Sequence, residues 1–308
     1  MTVLSESIPA SLAGERLDRV VALIADVSRA VAAALVEAGG VTVDGKPALS
    51  GKVKVVEGQE IGINPSLIPT PQLPTADPSV PLAVIYSDED VIVVDKPAGL
   101  IVHPGAGNPH GTLINGLLVD FPEISNVGDP MRPGVVHRLD AGTTGLMMVA
   151  RTTVAYEALV GMLSRREVGR RYTALVWGHP EQQSGIIDAP IGRDHRDPTK
   201  MAVVVDGKHA RTKYEVVERF TSPREVALVA CTLETGRTHQ IRVHLESIGH
   251  PVVGDATYGG ARSALAAPRP MLHAEHLEFV HPVSGRTLAF DAPIPADMRA
   301  VIDRCSTD

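Results

Sequence analysis

A proline-rich segment divides the chain into two parts. Residues 64–81 read "NPSLIPTPQLPTADPSVP" and contain six prolines but one charged residue. Because proline fixes the backbone angle φ and has no N–H to donate, this segment can continue neither a helix nor an inner strand. Its composition is typical of an extended, semi-stiff linker. A chain of 308 residues is also long for one compact unit, so the sequence predicts a domain on each side of the linker.

The part before the linker predicts a small domain at residues 15–63, preceded by a flexible N-terminus at residues 1–14. Apolar residues from Leu17 to Ile24 follow one helical face. Ser28 is a typical N-cap for a second helix, which a Gly-Gly pair ends. The stretch "VTVDGK" then predicts a strand entering a tight hairpin turn. Alternating residues over 52–63 predict more strand.

The part after the linker predicts one α+β domain at residues 82–308. Strand-like runs such as "DVIVVDKP" and "REVALVACTL" are mixed with helical segments such as "VAYEALVGMLSRR". Because these segments follow no regular βαβ period, we expect a largely antiparallel mixed sheet with a central cleft rather than a parallel one.

Composition narrows the class of protein. Hydrophobic residues make up 44% and charged residues 21%, values ordinary for a globular protein with a core. No apolar run approaches the roughly 20 residues of a membrane helix, and the N-terminus lacks the pattern of a secretory signal. Cys231 and Cys305 are the only cysteines, too few for a disulfide framework or a cysteine metal cage. We therefore expect a cytoplasmic protein without a membrane partner.

Charge alone does not point to nucleic acid. The formal net charge is −7, whereas nucleic-acid binders usually present a positive face. Locally, however, four arginines lie close together at Arg165, Arg166, Arg170 and Arg171. Taken alone, such a cluster is more typical of a solvated helix end.

The stretch "HRLDAGTTGL" places an acid between two strand-like runs, "PGVV" and "LMMVA". Asp140 is therefore expected in a turn at a strand end, where Arg138 and the backbone amides of the Gly-Thr-Thr-Gly loop favour its ionised form. An ionised carboxylate in a cleft can act as a nucleophile, a base or a stabiliser of a developing cation. The spacing alone equally fits an acid that only ties down its own turn.

Two further stretches are rich in polar groups. In "RRYTALVWG", Tyr172 follows the basic cluster and opens a strand. The stretch "LETGRTHQIRVHLESIGHPVVGDATYGG" contains Arg237, His239, Gln240, Arg242 and His244. The pairs His239 with His244 and His273 with His276 could each supply two ligands to a metal ion. No third ligand follows at a spacing typical of metal sites, so we expect structural or RNA-contacting roles for these histidines.

These stretches together resemble two known families. Residues 15–63, with the skeleton "RLD…SR…GGVTVDGK", are similar to the small RNA-binding domain named after ribosomal protein S-four. The motifs "HRLD", "YTALVWG", "TGRTHQIRVH", "GHPVVGD" and "MLHAEHLEFVHPVSG" resemble the RNA pseudouridine synthases of the RluA family, and most of all its RluD branch, which modifies large-subunit ribosomal RNA. The second helix of the small domain departs from its pattern by carrying a single basic residue, Arg29, so we expect auxiliary RNA contact there.

The resemblance implies a reaction. Enzymes of this family detach uracil from ribose, rotate it, and rejoin it through ring carbon five, without a cofactor or a metal. Asp140 then corresponds to the nucleophile toward the anomeric carbon, and Tyr172 to the tyrosine that stacks on the uracil. Arg242 corresponds to the arginine that pairs with the acid, with Arg237 as the alternative. Arg138 is expected beside the flipped nucleotide.

Further residues are expected around this centre. Substrate contacts are predicted for His137, Arg138, Thr143, Thr144, Arg237, His239 and Gln240. RNA contacts outside the centre are predicted for Arg16, Arg29, Lys46, Arg165, Arg166, Arg170 and Arg171. The expected partner is RNA, most of all large-subunit ribosomal RNA, and the expected state is a monomer.

Three alternatives stay open from the sequence. The chain could be a non-catalytic RNA-binding or ribosome-associated protein on the same fold, or a pseudouridine synthase for transfer RNA. The glycines of "GAGNPHG" raise a dinucleotide-dependent enzyme, but their spacing is one residue too long for that fingerprint.

Overall fold

The chain folds into two compact units, residues 1–72 and 73–308. The computed structural model describes residues 4–68, 73–105 and 108–306. The first three residues and residues 69–72 of the proline-rich segment lie outside the described residues. Within the described ranges, no helix has the length and apolarity needed to cross a membrane.

The first unit packs two helices against a small sheet. Its helices are α1 (Leu17–Ile24) and α2 (Arg29–Glu37), and its strands are β1 (Leu4–Ser7), β2 (Val41–Val43), β3 (Lys46–Pro47) and β4 (Glu60–Ile63), with 3₁₀ turns at Ala10–Leu12 and Pro65–Leu67. The strands pair antiparallel in the order β1-β4-β2-β3. Leu17 and Val21 of α1 form the core with Leu35 of α2 and Ile61 of β4.

The helix cap and the hairpin turn predicted for this unit are both present in the structure. The Ser28 hydroxyl accepts the Val31 N–H at 3.3 Å and begins α2. The turn from β2 into β3 places Asp44 and Gly45 at φ of 50° and 74°, the left-handed pair that a two-residue hairpin turn requires. The predicted hairpin is confirmed.

Two expectations about strands in this unit are wrong. The N-terminal segment expected to be flexible instead contributes β1, because Leu4–Ser7 pair along the full length of β4 and cover its edge. Within residues 52–63, only Glu60–Ile63 form a strand, since a turn with Gly58 at φ 81° interrupts the run.

The second unit is an α+β fold, as predicted. Its helices are α3 (Leu113–Asp120), α4 (Thr153–Arg165), α5 (Gln240–Ser247) and α6 (Ala296–Ile302), with a 3₁₀ turn at Pro122–Asn126. Its strands are β5 (Val84–Ser87), β6 (Val91–Lys96), β7 (Thr144–Ala150), β8 (Gly169–Trp177), β9 (Ser184–Asp188), β10 (Ile191–Arg193), β11 (Met201–Val203), β12 (Arg211–Phe220), β13 (Val226–Leu233), β14 (Leu272–Val280) and β15 (Thr287–Asp291).

The large sheet has the order β5-β6-β7-β14-β8-β13-β12-β9, with β15 also beside β14. Strands β10 and β11 pair separately. Every pair in the large sheet is antiparallel except β7 with β14. This confirms the prediction of a largely antiparallel mixed sheet.

The parallel junction of β7 and β14 is short. It consists of two residue pairs, His273 with Thr144 and Ala274 with Gly145, whereas β6 shares six pairs with β7. Gly145 has φ 110°, and a Cβ there would collide with the carbonyl of Ala274. Only glycine fits, because the backbones meet without room for a side chain. The Thr144 hydroxyl lies 2.9 Å from Nδ1 of His273 and bonds across the junction.

The loop before β7 is irregular rather than a strand. The run "PGVV" was expected as a strand, but Val135 makes only an isolated bridge with Val149. Pro133 has no N–H to donate, and Gly134 turns the chain at φ 70°. Asp140 is therefore reached by a loop that crosses the end of β7.

Part of the proline-rich segment packs on the second unit instead of remaining extended. The Asn115 side chain of α3 donates to the Thr75 carbonyl at 2.8 Å, and the Asn115 carbonyl accepts the Asp77 N–H at 2.8 Å. A Cβ at Gly116 would meet the Val80 side chain at 3.0 Å, so glycine lets the segment pack closely on this helix face. The two hydrogen bonds to Asn115 satisfy backbone groups of Thr75 and Asp77 and so hold this part of the segment against α3.

Candidate active site

Asp140 lies at the end of the loop that leads into β7, with its side chain 20% exposed. Its Oδ2 accepts a hydrogen bond from Arg242 at 2.9 Å. Its Oδ1 lies 3.9 Å from Nε2 of His239, beyond hydrogen-bond distance. The Thr143 N–H donates to the Asp140 carbonyl at 3.0 Å and closes the turn. One carboxylate oxygen is therefore held by Arg242, while the other accepts no hydrogen bond from any of the described residues.

Arg242 is fixed from behind by a second acid. Asp255 is fully buried and accepts hydrogen bonds from Nε and one terminal nitrogen of Arg242 at 2.6 and 2.9 Å. Asp255 itself accepts the backbone N–H groups of Thr257 and Tyr258 at 3.0 and 3.2 Å. Burial alone would lower the pKa of Arg242, but its bonds to Asp255 and Asp140 raise it overall. The guanidinium is therefore charged and oriented before any substrate arrives.

The start of α5 aims Arg242 at Asp140. The Gln240 side-chain oxygen accepts the Thr235 hydroxyl at 2.7 Å and the Arg237 N–H at 2.9 Å. Its amide nitrogen donates to the Arg211 carbonyl and to the Thr212 hydroxyl, at 3.0 Å each. Gln240 was expected to contact substrate, but its oxygen and its nitrogen are both used by the protein. These bonds hold the loop that precedes α5, and Gln240 also lines a small cavity beside Asp140.

Tyr172 lies on β8 and is 5% exposed. Within the described part of the chain its hydroxyl has no hydrogen-bond partner, although the ring lines the same cavity as Asp140. Burial raises the pKa of Tyr172, and the charge of Asp140 adds to this, while Arg170 opposes it. The phenol therefore stays protonated near neutral pH.

His239 and Tyr258 form a second layer around the pair. The Nδ1 atom of His239 lies 2.7 Å from the Tyr258 hydroxyl, which accepts the Met201 N–H at 3.1 Å. Because that oxygen already accepts from Met201, its own proton is available for Nδ1, which favours the tautomer with Nε2–H toward Asp140. Burial lowers the pKa of His239, and Asp140 opposes the shift. Arg242 lies 5.0 Å from the centre of the Tyr258 ring.

Lys96 is a site residue that the sequence reasoning missed. Its side chain is fully buried at the end of β6 and donates to the carbonyls of Pro97, Leu100 and Ala141 at 2.9, 2.8 and 3.2 Å. Burial lowers its pKa to about 8, although Asp140 opposes the shift. Lys96 thus fixes the peptide that follows Asp140. The signal in the sequence was a lysine at the end of an apolar strand-like run, directly before a proline.

Asp255 and Tyr258 were also missed as individual residues. Both belong to the stretch "GHPVVGDATYGG", whose family likeness was noted without a role for either side chain. The available signal was an acid directly after the apolar run "PVVG", because a carboxylate in apolar surroundings needs a cation beside it.

A cavity of about 530 Å³ opens beside Asp140 and Tyr172. The arginines that line it are Arg132, Arg138, Arg166, Arg170 and Arg237. The acids among its lining residues are Asp140 and Glu234. Since cations outnumber anions, the wall carries a positive potential despite the acidic net charge of the chain.

Several predicted substrate residues lie at or near this cavity. Arg138 is exposed on its wall, and Thr143 is buried beside Asp140. His137 lines the cavity, but its Nε2 accepts the Met148 N–H at 3.1 Å and burial lowers its pKa to about 3, so the ring is neutral and held by β7.

The two arginines considered as partners of Asp140 make different contacts. Arg237 lines the cavity, but its Nε donates to the His209 carbonyl at 2.9 Å, whereas Arg242 donates to Asp140.

Thr144 was predicted to contact substrate. In the structure its hydroxyl is hydrogen-bonded to His273.

The histidine pairs are engaged within the fold. The ring nitrogens of His244 lie 2.8 Å from Thr212 Oγ1 and 2.9 Å from the Ala189 carbonyl. His273 bonds Thr144 and Ala292, and His276 bonds Asp291. These three rings are therefore hydrogen-bonded within the protein, and the sequence predicted structural or RNA-contacting roles for them.

The basic residues predicted for RNA contact in the first unit are partly engaged elsewhere. Arg16 and Arg29 both pair with Asp18, a buried acid of α1, and Arg29 does so at 2.9 Å. Lys46 is exposed in β3 and has no ion pair within the described residues.

In the second unit the basic cluster does not form one surface. Three of its arginines are exposed and pair with acids, Arg165 with Glu167, Arg166 with Glu234 and Arg171 with Glu275. Arg170 points inward instead and is buried at the cavity wall.

Comparison with known proteins gives consistent results. Residues 90–247 match the family described as RNA pseudouridylate synthase, and residues 15–61 match the family described as S4 domain. The chain is 46% identical over 304 residues to the ribosomal large subunit pseudouridine synthase D of Nitrosomonas europaea, covering 96% of this chain and 86% of that protein. It is 42% identical over 308 residues to the Escherichia coli protein of the same name, covering 96% and 92%. Among solved structures, human RNA pseudouridylate synthase domain containing 1 aligns with a TM-score of 0.59 at 28% identity, covering 74% of this chain and 89% of that one.

Proposed function

Because the chain belongs to the RNA pseudouridine synthase family, and is therefore an isomerase of uridine in RNA, we propose that its substrates are uridines of large-subunit ribosomal RNA and that Asp140 is its nucleophile. The observation that carries this is the carboxylate of Asp140, held by Arg242 at 2.9 Å on the wall of a cationic cavity beside Tyr172. The named relatives act on the large ribosomal subunit, which supports the choice of RNA.

The reaction begins with attack on the sugar. Oδ1 of Asp140 forms a bond to the anomeric carbon, and the electrons of the glycosidic bond pass to uracil. Positive charge develops on the sugar as that bond breaks, and the carboxylate stabilises it. Uracil then rotates, and its ring carbon five bonds the anomeric carbon as the bond to Oδ1 breaks and returns its electrons to Asp140. Ring carbon five loses its proton to water, and ring nitrogen one gains a proton from water. Arg242 holds Oδ2 throughout, so the nucleophile keeps its orientation.

Tyr172 supplies the platform for the base. A uridine within RNA structure must be extruded before its sugar can be reached, and an aromatic face stabilises the extruded base by stacking. The hydroxyl, which has no partner within the described residues and keeps its proton near neutral pH, is available to donate a hydrogen bond to the nucleotide. Arg138, exposed beside the cavity, occupies the space that the extruded base leaves.

Other features of the site fit an isomerase. Neither oxidation nor group transfer to a second molecule takes place, so no cofactor or metal is required. Detached uracil and an activated sugar must be kept from water, and the buried surroundings of Arg242, Asp255 and Tyr172 serve that purpose. We propose that the chain acts as a monomer in the cytoplasm, with residues 15–63 as an auxiliary RNA-binding domain and residues 82–308 as the catalytic domain.

Mapping of pseudouridine at single-position resolution tests the substrate. Ribosomal and transfer RNA made in cells lacking this protein would be incubated with the wild type, with Asp140→Asn, and with Asp291→Asn as a control at an exposed acid of β15. We expect new pseudouridine in large-subunit RNA with the wild type and the control, and none with Asp140→Asn. Pseudouridine confined to transfer RNA would overturn the ribosomal assignment. Binding of RNA without any pseudouridine would favour the non-catalytic alternative.

A further inference from the structure

Arg170 lies in the wall of the cavity without a partner. It is 6% exposed, and its guanidinium has no hydrogen bond or ion pair within the described residues. Its Nε atom is buried with no acceptor. Burial lowers the pKa of Arg170, yet an arginine remains protonated in proteins. The Nε–H group is therefore buried without an acceptor, and no acid of the described residues pairs with the charge of Arg170, an unfavourable state that calls for an explanation.

The other arginines that line the cavity are exposed, unlike Arg170. Arg166 pairs with Glu234 at 3.3 Å, Arg132 pairs with Asp129 at 3.0 Å, and Arg237 donates to the His209 carbonyl at 2.9 Å. A buried guanidinium without an acceptor is thus particular to Arg170 among these residues and does not follow from crowding of the cavity wall.

The acids of the cavity are already engaged. Glu234 accepts from Arg211 at 2.8 Å and also pairs with Arg166 and Lys213. Asp140 is held by Arg242. Neither carboxylate is bonded to Arg170, so a bound molecule can supply the acceptor that its charge lacks.

The position of Arg170 relative to Tyr172 indicates which bound molecule could supply the acceptor. The two residues are two apart on β8, so their side chains point to the same face, about 7 Å apart along the strand. On its other side Arg170 reaches Gly236, where a Cβ would lie 2.9 Å from its terminal nitrogen. A group bound by Arg170 therefore lies next to whatever occupies the face of Tyr172.

We propose that Arg170 binds a phosphate group that flanks the extruded uridine. The proposal rests on the proposed function, since it takes the occupant of the Tyr172 face to be a nucleotide of RNA. A planar guanidinium matches the oxygens of a phosphate with two parallel hydrogen bonds, and the charge of the phosphate supplies the missing counter-ion. Arg170 would then fix the backbone beside the base while Asp140 attacks the sugar.

Binding of small ligands tests this without any turnover. Uridine, uridine 5′-monophosphate and uridine 3′-monophosphate would be titrated into the full-length wild type, Arg170→Met, Arg170→Lys and the control Arg286→Met, an exposed arginine outside the cavity. We expect the wild type and the control to bind one monophosphate at least about tenfold more tightly than uridine. Arg170→Met should lose that preference while binding uridine unchanged, and Arg170→Lys should keep part of it. A preference that survives in Arg170→Met, or is absent from the wild type, overturns the proposal.

Two measurements separate a phosphate contact from a structural role. The melting temperature of Arg170→Met should equal or exceed that of the wild type, because the variant removes an unpaired buried charge; a marked decrease would assign Arg170 to the fold instead. With an RNA substrate, the plot of log affinity against log salt should be less steep for Arg170→Met than for the wild type. The difference in slope should be about 0.7, the value for one phosphate contact of a single strand. A wild type that prefers the monophosphate through Arg170 but forms no pseudouridine would refute the proposed function and leave the phosphate contact standing.

Discussion

Replacement of Asp255 by asparagine would remove one charge from behind Arg242 while keeping the volume. Asp255 is fully buried and accepts two hydrogen bonds from Arg242, at 2.6 and 2.9 Å. Removal of one partner of a buried ion pair costs about 3–5 kcal/mol. Asparagine keeps an oxygen that can still accept the backbone N–H groups of Thr257 and Tyr258, so we expect the lower end, about 3 kcal/mol. For a unit of this size that corresponds to a decrease of about 6–12 °C in the melting temperature.

The same variant should slow catalysis more than it weakens binding. Asp255 does not line the cavity, so the KM for RNA should stay within about twofold, since binding contacts are unchanged. Loss of the rear contact frees Arg242 to move away from Asp140, and a displacement of about 1 Å at a reacting group lowers kcat by about a hundredfold.

Calorimetry and single-turnover pseudouridine formation would measure both effects of the Asp255 substitution. The control is Asp291→Asn, whose side chain is 74% exposed and pairs with His276 at the surface. It should change the free energy of unfolding by less than about 0.5 kcal/mol and leave kcat unaltered. If Asp255→Asn melts within 2 °C of the wild type, roughly the effect of 1 kcal/mol or less, and turns over normally, Asp255 does not hold Arg242 in place.

Three further outcomes follow from the site. Asp140→Asn should lower kcat by at least about 10⁴-fold and retain RNA affinity, as measured by tritium release and filter binding; residual turnover near wild type would exclude Asp140 as nucleophile. Burial lowers the pKa of Lys96 from 10.5 to about 8, so the folded protein binds its proton more weakly than the unfolded chain does. The free energy of unfolding of the wild type, from urea denaturation, should therefore rise between pH 8 and 10.5 relative to Lys96→Met, and parallel profiles would contradict this. Burial raises the pKa of the Cys231 thiol to about 12, so iodoacetamide at pH 8 should modify the part-exposed Cys305 and spare Cys231; peptide mass spectrometry that finds native Cys231 labelled would contradict the buried environment.

Features encoded by adjacent residues could be predicted, and features that need distant partners could not. The Ser28 cap and the Asp44–Gly45 turn depend on a few neighbouring residues, so the sequence places both. Strand β1 depends on the open edge of β4, about 55 residues later, and its residues "LSES" carry no pattern of their own. Asp140 and Arg242 meet across 102 residues, and only the family likeness, not spacing, connected them.

The basic cluster shows a further limit. Arg165, Arg166, Arg170 and Arg171 look alike as a run of charges, but they fall on a helix end and on a strand whose alternate side chains face opposite ways. Alternation with the inward Tyr172 was the signal that could have placed Arg170 inside. Lys96 and Asp255 were overlooked because a charge within an apolar stretch reveals its partner only after folding.

The two residue pairs that join β7 to β14 leave few backbone hydrogen bonds between the two parts of the sheet that carry the site. Asp140 is carried by the β7 side of this junction and Tyr172 by β8 on the other side, where six pairs tie β8 to β14. Buried side chains of β7, β8 and β14 form one core across this junction, so apolar packing holds the two parts of the sheet together where hydrogen bonds are few. The ion pair between Asp140 and Arg242 adds a polar contact from the loop before β7 to helix α5.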